Sequence, residues 1–326
     1  MRKIIILSLI VILLFLTSCE QELEMNKSKV ILVSVALTYE NTNLNVLKGA
    51  YQDQKAIIDQ FRHLAELDER EFISHSITQK GTATNYNVII DALRGEDINT
   101  STRILLTDIK AKLEEIFNNL EGVADENDLF IFYYSGHGDG NIKLESHKSY
   151  NGALVMGDLV FDSNNNWHTK NTNYKSILSA VGLKCLLSGI KSNKLVLLDS
   201  CHSGNHIVKD VNSYEMSELN TAISEMFYEV GDTKNNSWEL VSSKKEELSY
   251  ESAANGYIPH GFFSKIILET LGYEFYNGTY EGVGEPEDLL LSVSDLYLAA
   301  DKNIKIDKQH PQYSKNHMDL VLFNFY

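Results

Sequence analysis

Three apolar runs limit what this chain can fold into more than any other feature of it. Lys29-Val30-Ile31-Leu32-Val33-Ser34-Val35-Ala36-Leu37, Asp128-Leu129-Phe130-Ile131-Phe132-Tyr133-Tyr134 and Lys194-Leu195-Val196-Leu197-Leu198-Asp199 are apolar at nearly every position rather than every second one. A strand with one wet face alternates, so these predict strands buried on both faces, as in a parallel sheet covered by helices. Helical spacing fills the intervals. Residues 46–67 place Leu47, Ala50, Ile57, Ile58, Phe61 and Leu64 on one face, and 102–120 are apolar at 105, 109, 113, 116, 117 and 120. The same spacing resumes before Leu187 and recurs over 262–271 and 293–306, while 238–242 and 318–325 read as further strands. Either 71–77 or 86–93 supplies the second core strand; Gly81-Thr82 separates them, and periodicity leaves both open. The Asn-rich stretch 162–173 reads as loop, and 205–236 as a long loop with one short helix near 215–228. The alternation predicts an α/β fold with a mainly parallel sheet of about six strands. No repeat and no long linker divides it, so residues 29–326 are expected to form one domain.

Composition narrows the partners. Acidic residues outnumber basic ones 45 to 29, a formal charge of −16 that repels phosphate backbones and argues against nucleic-acid binding. The same surface suits solubility or basic peptides. At the N-terminus Arg2 and Lys3 precede an apolar run from Ile4 to Leu16. At about thirteen residues the run is too short to span roughly 30 Å of hydrocarbon, and it reads as a secretory signal. Leu16-Thr17-Ser18-Cys19 resembles a bacterial lipobox, which implies removal of residues 1–18, lipidation of Cys19 and anchoring to a membrane of the bacterial cell envelope. Residues 19–28 then form an acidic tether beginning Glu20-Gln21-Glu22. The remaining cysteines, Cys185 and Cys201, are too few for a disulfide framework. Cys185 lies in an apolar stretch and is expected to be a small buried hydrophobe.

Cys201 has different surroundings. Two of the buried runs stop abruptly in short polar turns, Ser135-Gly136-His137-Gly138 and Ser200-Cys201-His202-Ser203-Gly204. Open α/β sheets collect functional groups beyond the carboxyl ends of their strands. One helix and a crossover fit between the two turns, which suits adjacent strands. A thiol with a free pKa of about 8.5 is mostly protonated at neutral pH, and a neighbouring imidazole can take or hold its proton. Glycines beside the histidine permit a sharp turn and bring N–H groups close to a bound carbonyl. Each such oxyanion donor stabilises a transition state by about 2.7–4 kcal/mol. Nothing here requires a metal, and an adjacent Cys-His pair matches no usual ligand spacing.

These two turns, extended to Tyr133-Tyr134-Ser135-Gly136-His137-Gly138 and Asp199-Ser200-Cys201-His202-Ser203-Gly204, resemble the signature segments of caspase-like cysteine peptidases, closer to metacaspases than to animal caspases. Leu47-Lys48-Gly49-Ala50-Tyr51-Gln52-Asp53 resembles the family's first-helix segment, with Gln52 where Asn is usual. Val241-Ser242-Ser243-Lys244-Lys245-Glu246-Glu247 and His260-Gly261-Phe262-Phe263 resemble its later strand, substrate loop and helix. The resemblance implies a three-layer caspase-hemoglobinase-like α/β/α sandwich. It implies His137 as general base, Cys201 as nucleophile, and the N–H groups of Gly138 and Cys201 as the oxyanion hole. Metacaspases cut after Arg or Lys using positions that match Asp53, Asp199 and Ser135, so a peptide or protein with a basic P1 residue is the implied substrate; His202 has no catalytic role. Some metacaspases need calcium, for which Asp158 and Asp162 lie in an acidic loop, but no cofactor is required by the dyad itself. Self-processing within 205–236 is expected, at Lys209 or Lys234. The alternative is a caspase-like module that binds without catalysis.

Overall fold

A computed structural model describes residues 28–93, 95–139, 142–143, 149–150, 153–161, 163, 175–201, 236–242, 249–251, 259–276, 279–304, 309–313 and 319–325. The main sheet comprises β1 (Lys29–Ala36), β2 (Glu71–Lys80), β3 (Ala83–Asp91), β4 (Ile98–Ile104), β5 (Leu129–Asp139), β6 (Ala153–Val155), β7 (Ile177–Ser179), β8 (Asn193–Cys201), β9 (Ser237–Val241) and β10 (Gln312–Tyr313). Its order is β10-β9-β8-β5-β1-β2-β3-β4, with β6 paired to the end of β5 and β7 to β6. The five central strands, β9, β8, β5, β1 and β2, are parallel. The others are antiparallel additions at the edges and at the end of β5.

The three runs apolar on both faces are β1, β5 and β8, side by side in the middle. Alternate residues of β1 serve two cores, as a strand's period of two requires. Ile31, Val33 and Val35 face α2 (Ile109–Leu120) and α3 (Ala180–Ser188), meeting Leu113, Phe117, Leu183 and Leu187. Val30 and Leu32 face α1 (Ala50–Leu67), α4 (Phe262–Thr270) and α5 (Val293–Asn303), meeting Phe61, Phe263 and Leu296. This is the three-layer α/β/α arrangement, with a sheet wider than the six strands expected. Among the described residues no helix is long and apolar enough to cross a membrane.

Several expectations need adjusting. Both 71–77 and 86–91 lie in strands, and 92–93 fall beyond: β2 is the parallel neighbour of β1, and β3 returns antiparallel through a turn where Gly81 has φ +63°. The helix expected over 102–120 begins only at Ile109. Residues 102–104 close β4, and Leu105, 68% exposed, belongs to no apolar face. β4 itself gave no signal because an exposed edge strand of Ile-Asn-Thr-Ser-Thr-Arg-Ile has no core face to pattern. The first helix starts at Ala50 rather than Val46, and the segment 318–325 yields Val321–Asn324, paired with Leu290–Ser292 outside the main sheet. Cys185 is exposed on α3, not buried. Cys19, Asp162, His202, Lys209, Lys234 and almost all of the two expected loops lie outside the described residues.

Candidate active site

Read along the chain, the parallel core runs second, first, third, fourth, fifth across the sheet. The connections therefore diverge between β1 and β5, and it is beyond the carboxyl ends at such a point that open α/β sheets place their functional groups. His137 and Cys201 both reach this edge. The register of β5 and β8 pairs Ser135 with Asp199, Gly136 with Ser200 and His137 with Cys201. Gly138, the next residue of β5, pairs with Leu154 of β6. Of Cys201 the structure describes the backbone, which ends β8 directly across from the histidine.

His137 is fully buried and held on three sides by the β1–α1 loop and its neighbours. Its Nε2 lies 2.7 Å from the carbonyl oxygen of Asn45. A carbonyl only accepts, so Nε2 carries the proton, and Nδ1 is the basic nitrogen of the neutral ring. The ring stacks on Tyr39, with centroids 4.4 Å apart and planes 28° from parallel. The His137 amide donates to the Tyr39 hydroxyl at 2.9 Å, and its carbonyl accepts from the Tyr134 hydroxyl at 2.7 Å. The two phenols approach each other to 3.0 Å and share the Val155 carbonyl. Gly136 makes room for them: a Cβ there would sit 2.5 Å from the Tyr134 hydroxyl and 2.7 Å from that of Tyr39.

The β1–α1 loop is itself pinned. Tyr39 and Asn41 have φ of +55° and +59°, a left-handed backbone costing residues with a Cβ about 1–2 kcal/mol. The Tyr39 amide donates to Gln79 Oε1, and the Asn43 amide donates to Asp158 Oδ1, with the Asn43 side chain on Oδ2. Leu159 N–H also donates to Asp158 Oδ1, so the Asp158 carboxylate is engaged in holding this loop. Among the described residues no group of three His, Cys, Asp or Glu is placed to hold a metal ion.

Beside the His137–Cys201 register lies a buried acidic pair. Leu195 and Leu197 of β8 face α1 and α4, and Asp199 continues that alternation. Its Oδ1 accepts from the Ser249 hydroxyl at 2.8 Å; its Oδ2 accepts from the Ser264 hydroxyl at 2.6 Å and amide at 3.2 Å. Burial pushes Asp199 above the ordinary carboxylate pKa, and those hydrogen bonds only partly offset it. Asp53, in the first turn of α1 and 1% exposed, accepts the Gly261 amide at 2.8 Å. Gly261 sits between the two aspartates: a Cβ on it would lie 2.1 Å from Asp199 Oδ2. Ser135 is buried next to them on β5, and the Tyr133 phenol, hydrogen-bonded to Ser264, is raised well above its usual range by burial and by both carboxylates. Asp53, Ser135 and Asp199 are thus brought to one corner.

Three participants had no prominent sequence signal. Asn45 acts through its backbone, and Tyr39 follows β1 as an ordinary aromatic. Glu251 reaches back across the sequence to the start of α1, accepting the Lys48 and Gly49 amides at 3.1 and 2.9 Å. Gly49, the N-cap of α1, has no side chain to do this. Burial raises the pKa of Glu251.

The fold thus sets a buried imidazole opposite the Cys201 backbone at the carboxyl edge of a 2-1-3-4-5 parallel core. The caspase domain family matches residues 34–323, nearly the whole folded chain. The chain therefore belongs to the caspase-domain family of cysteine peptidases. No curated protein sequence matches it. Among solved structures it is similar to protein GSU0716 from Geobacter sulfurreducens, at 16% identity and TM-score 0.49, covering 87% of this chain and 92% of that one. It is also similar to a secreted C11 cysteine protease from Bacteroides thetaiotaomicron in complex with an irreversible peptide inhibitor. That match has 12% identity and TM-score 0.35, covering 67% of this chain and 49% of that one.

Proposed function

We propose that the chain is a cysteine endopeptidase whose dyad is Cys201 and His137, and that it cuts after Arg or Lys. The observation that carries the dyad is the register of Cys201 opposite His137, with Nε2 of the histidine already donating to the Asn45 carbonyl. In this reading Nδ1 accepts the proton of the Cys201 thiol. The thiolate adds to the scissile carbonyl carbon, and the displaced π electrons form an oxyanion received by the amides of Gly138 and Cys201. Nδ1 then returns its proton to the leaving amine, the C–N bond breaks, and a thioester remains. Water, deprotonated at Nδ1, hydrolyses it and frees Cys201. These steps use no cofactor.

The preference for a basic P1 side chain rests on Asp199 and Asp53. Their described partners are hydroxyls and amides, and among the described residues no ion pair reaches Asp199. A buried carboxylate that accepts from hydroxyls and an amide, as Asp199 does, gains from an entering cation through charge-assisted hydrogen bonds. The anchored location rests on the lipobox-like segment at Cys19. A positional scan of fluorogenic peptides tests the main proposal, with Arg and Lys expected to dominate at P1 and Cys201→Ala expected to be inert. Equal cleavage by the alanine variant would refute the mechanism. Preference for Asp at P1 would refute the pocket.

A further inference from the structure

We infer that Tyr39 is a positioning residue for catalysis: its ring and hydroxyl together fix the plane and the backbone of His137. The inference rests on the proposed role of His137 as the base. Its starting point is a misfit. Tyr39 adopts φ +55°, a conformation that glycine or asparagine takes readily and a bulky aromatic rarely does. An outlier of this kind persists only where the surroundings over-determine it. Here Gln79 and Thr42 hold the Tyr39 backbone, and the imidazole meets its side chain. Tyr39 is fully buried, its ring lies against one face of His137, and its hydroxyl is the acceptor for the His137 amide. The same hydroxyl is anchored in turn on the Val155 carbonyl.

The loop that bends at Tyr39 also presents the Asn45 carbonyl to Nε2, so one segment constrains the imidazole across its face and at its protonated nitrogen. A carbonyl acceptor alone leaves the ring free to swing about the Nε2–O line. The stacked phenol removes that freedom, and it sets the direction in which Nδ1 points. Gly136 completes the arrangement, since any larger residue would collide with both hydroxyls. The electron-rich ring face also favours the imidazolium that forms once Nδ1 has taken a proton.

Two variants separate these contributions. Tyr39→Phe keeps the ring and loses the hydroxyl. Tyr39→Gly loses the side chain while accepting the left-handed backbone. On the peptide cleaved best by the wild type, kcat is expected to fall about tenfold in the phenylalanine variant and about a hundredfold in the glycine variant, with KM within about twofold. The acid limb of the kcat/KM profile, set by protonation of Nδ1, is expected to keep its place in Tyr39→Phe and to move to lower pH in Tyr39→Gly, which lacks the ring face that favours the imidazolium. A folded Tyr39→Gly protein with wild-type kcat, or with a reduced kcat but an unmoved acid limb, overturns the inference. Should that variant not fold, Tyr39→Phe decides alone: a kcat within about twofold of wild type overturns it. His137→Ala separates the two levels. If it stays active, the dyad itself is wrong; if it is inactive while the Tyr39 variants are not, only the role of Tyr39 falls.

Discussion

The two flanks of the candidate dyad are built from opposite materials. On the histidine side two phenols and the Asn45 carbonyl, all uncharged groups, hold a buried imidazole and its backbone. On the other side the groups are carboxylates: Asp53 and Asp199 are buried and accept from hydroxyls and amides, and the half-buried Glu251 accepts from amides behind them. A neutral network holds its geometry across a wide pH range, which suits a part that must aim a proton acceptor. Buried carboxylates are costly until a cation arrives, which suits a part that must recognise one. On the proposed function, positioning and recognition would fall on either side of the Cys201–His137 register.

Substitutions can break that separation. The largest effect is expected for His137→Ala, which should lower kcat by about a thousandfold or more and leave KM for an Arg substrate within a fewfold. A stopped assay with active-site titration checks it. Asp199→Asn should act on the other side, lowering kcat/KM for Arg and Lys substrates about a hundredfold and for an uncharged P1 substrate far less. A matching loss on both substrates would show that Asp199 serves the dyad instead.

The two tight glycines sharpen the contrast. Gly136→Ala and Gly261→Ala both force a Cβ into contact, at 2.5 Å from a phenol and 2.1 Å from a carboxylate respectively. Each should destabilise the fold by about 1–3 kcal/mol, measurable by urea denaturation. The first should reduce kcat and the second should raise KM for basic substrates.

The smallest effect concerns pH. Asp199 has a raised carboxylate pKa in the folded chain, so between the ordinary value near 3.8 and the raised one the native state binds more protons than the unfolded state. Its burial therefore destabilises the fold as pH rises through that window. A bound Arg-containing inhibitor should reverse the sign, stabilising most above the raised pKa and losing that stabilisation as Asp199 is protonated. Thermal unfolding with and without inhibitor from pH 4 to 7 reads this directly, and an inhibitor shift independent of pH would exclude Asp199 from the pocket.

The core and the placement of His137 opposite Cys201 were legible because β1, β5 and β8 are apolar on both faces and end in polar turns. Burial writes itself into sequence that way. The helix face carrying Asp53 was ambiguous, since Asp53-Gln54-Lys55 looks like a wet surface; Asp53 and Gln54 are buried and Lys55 exposed, a split that only the fold produces. Edge strand β4 was missed because water covers it. Tyr39, Asn45 and Glu251 were invisible for another reason. Their roles depend on a backbone angle, a backbone carbonyl and a partner about two hundred residues away, none of which a local pattern encodes.

The parallel pairing of β8 with β9 has a consequence for a cut chain. Five residues of β9 align with β8, and Leu240 of β9 and Phe263 of α4 lie in the same apolar cluster as Leu195, Leu197 and Phe61 from the earlier part of the sequence. A peptide bond broken between Cys201 and Asn236 would give two polypeptides, yet neither could leave without exposing that shared interior. Denaturing electrophoresis would report two fragments where size-exclusion chromatography reports one particle. The nicked protein would be a two-chain assembly whose subunit interface is its own former core.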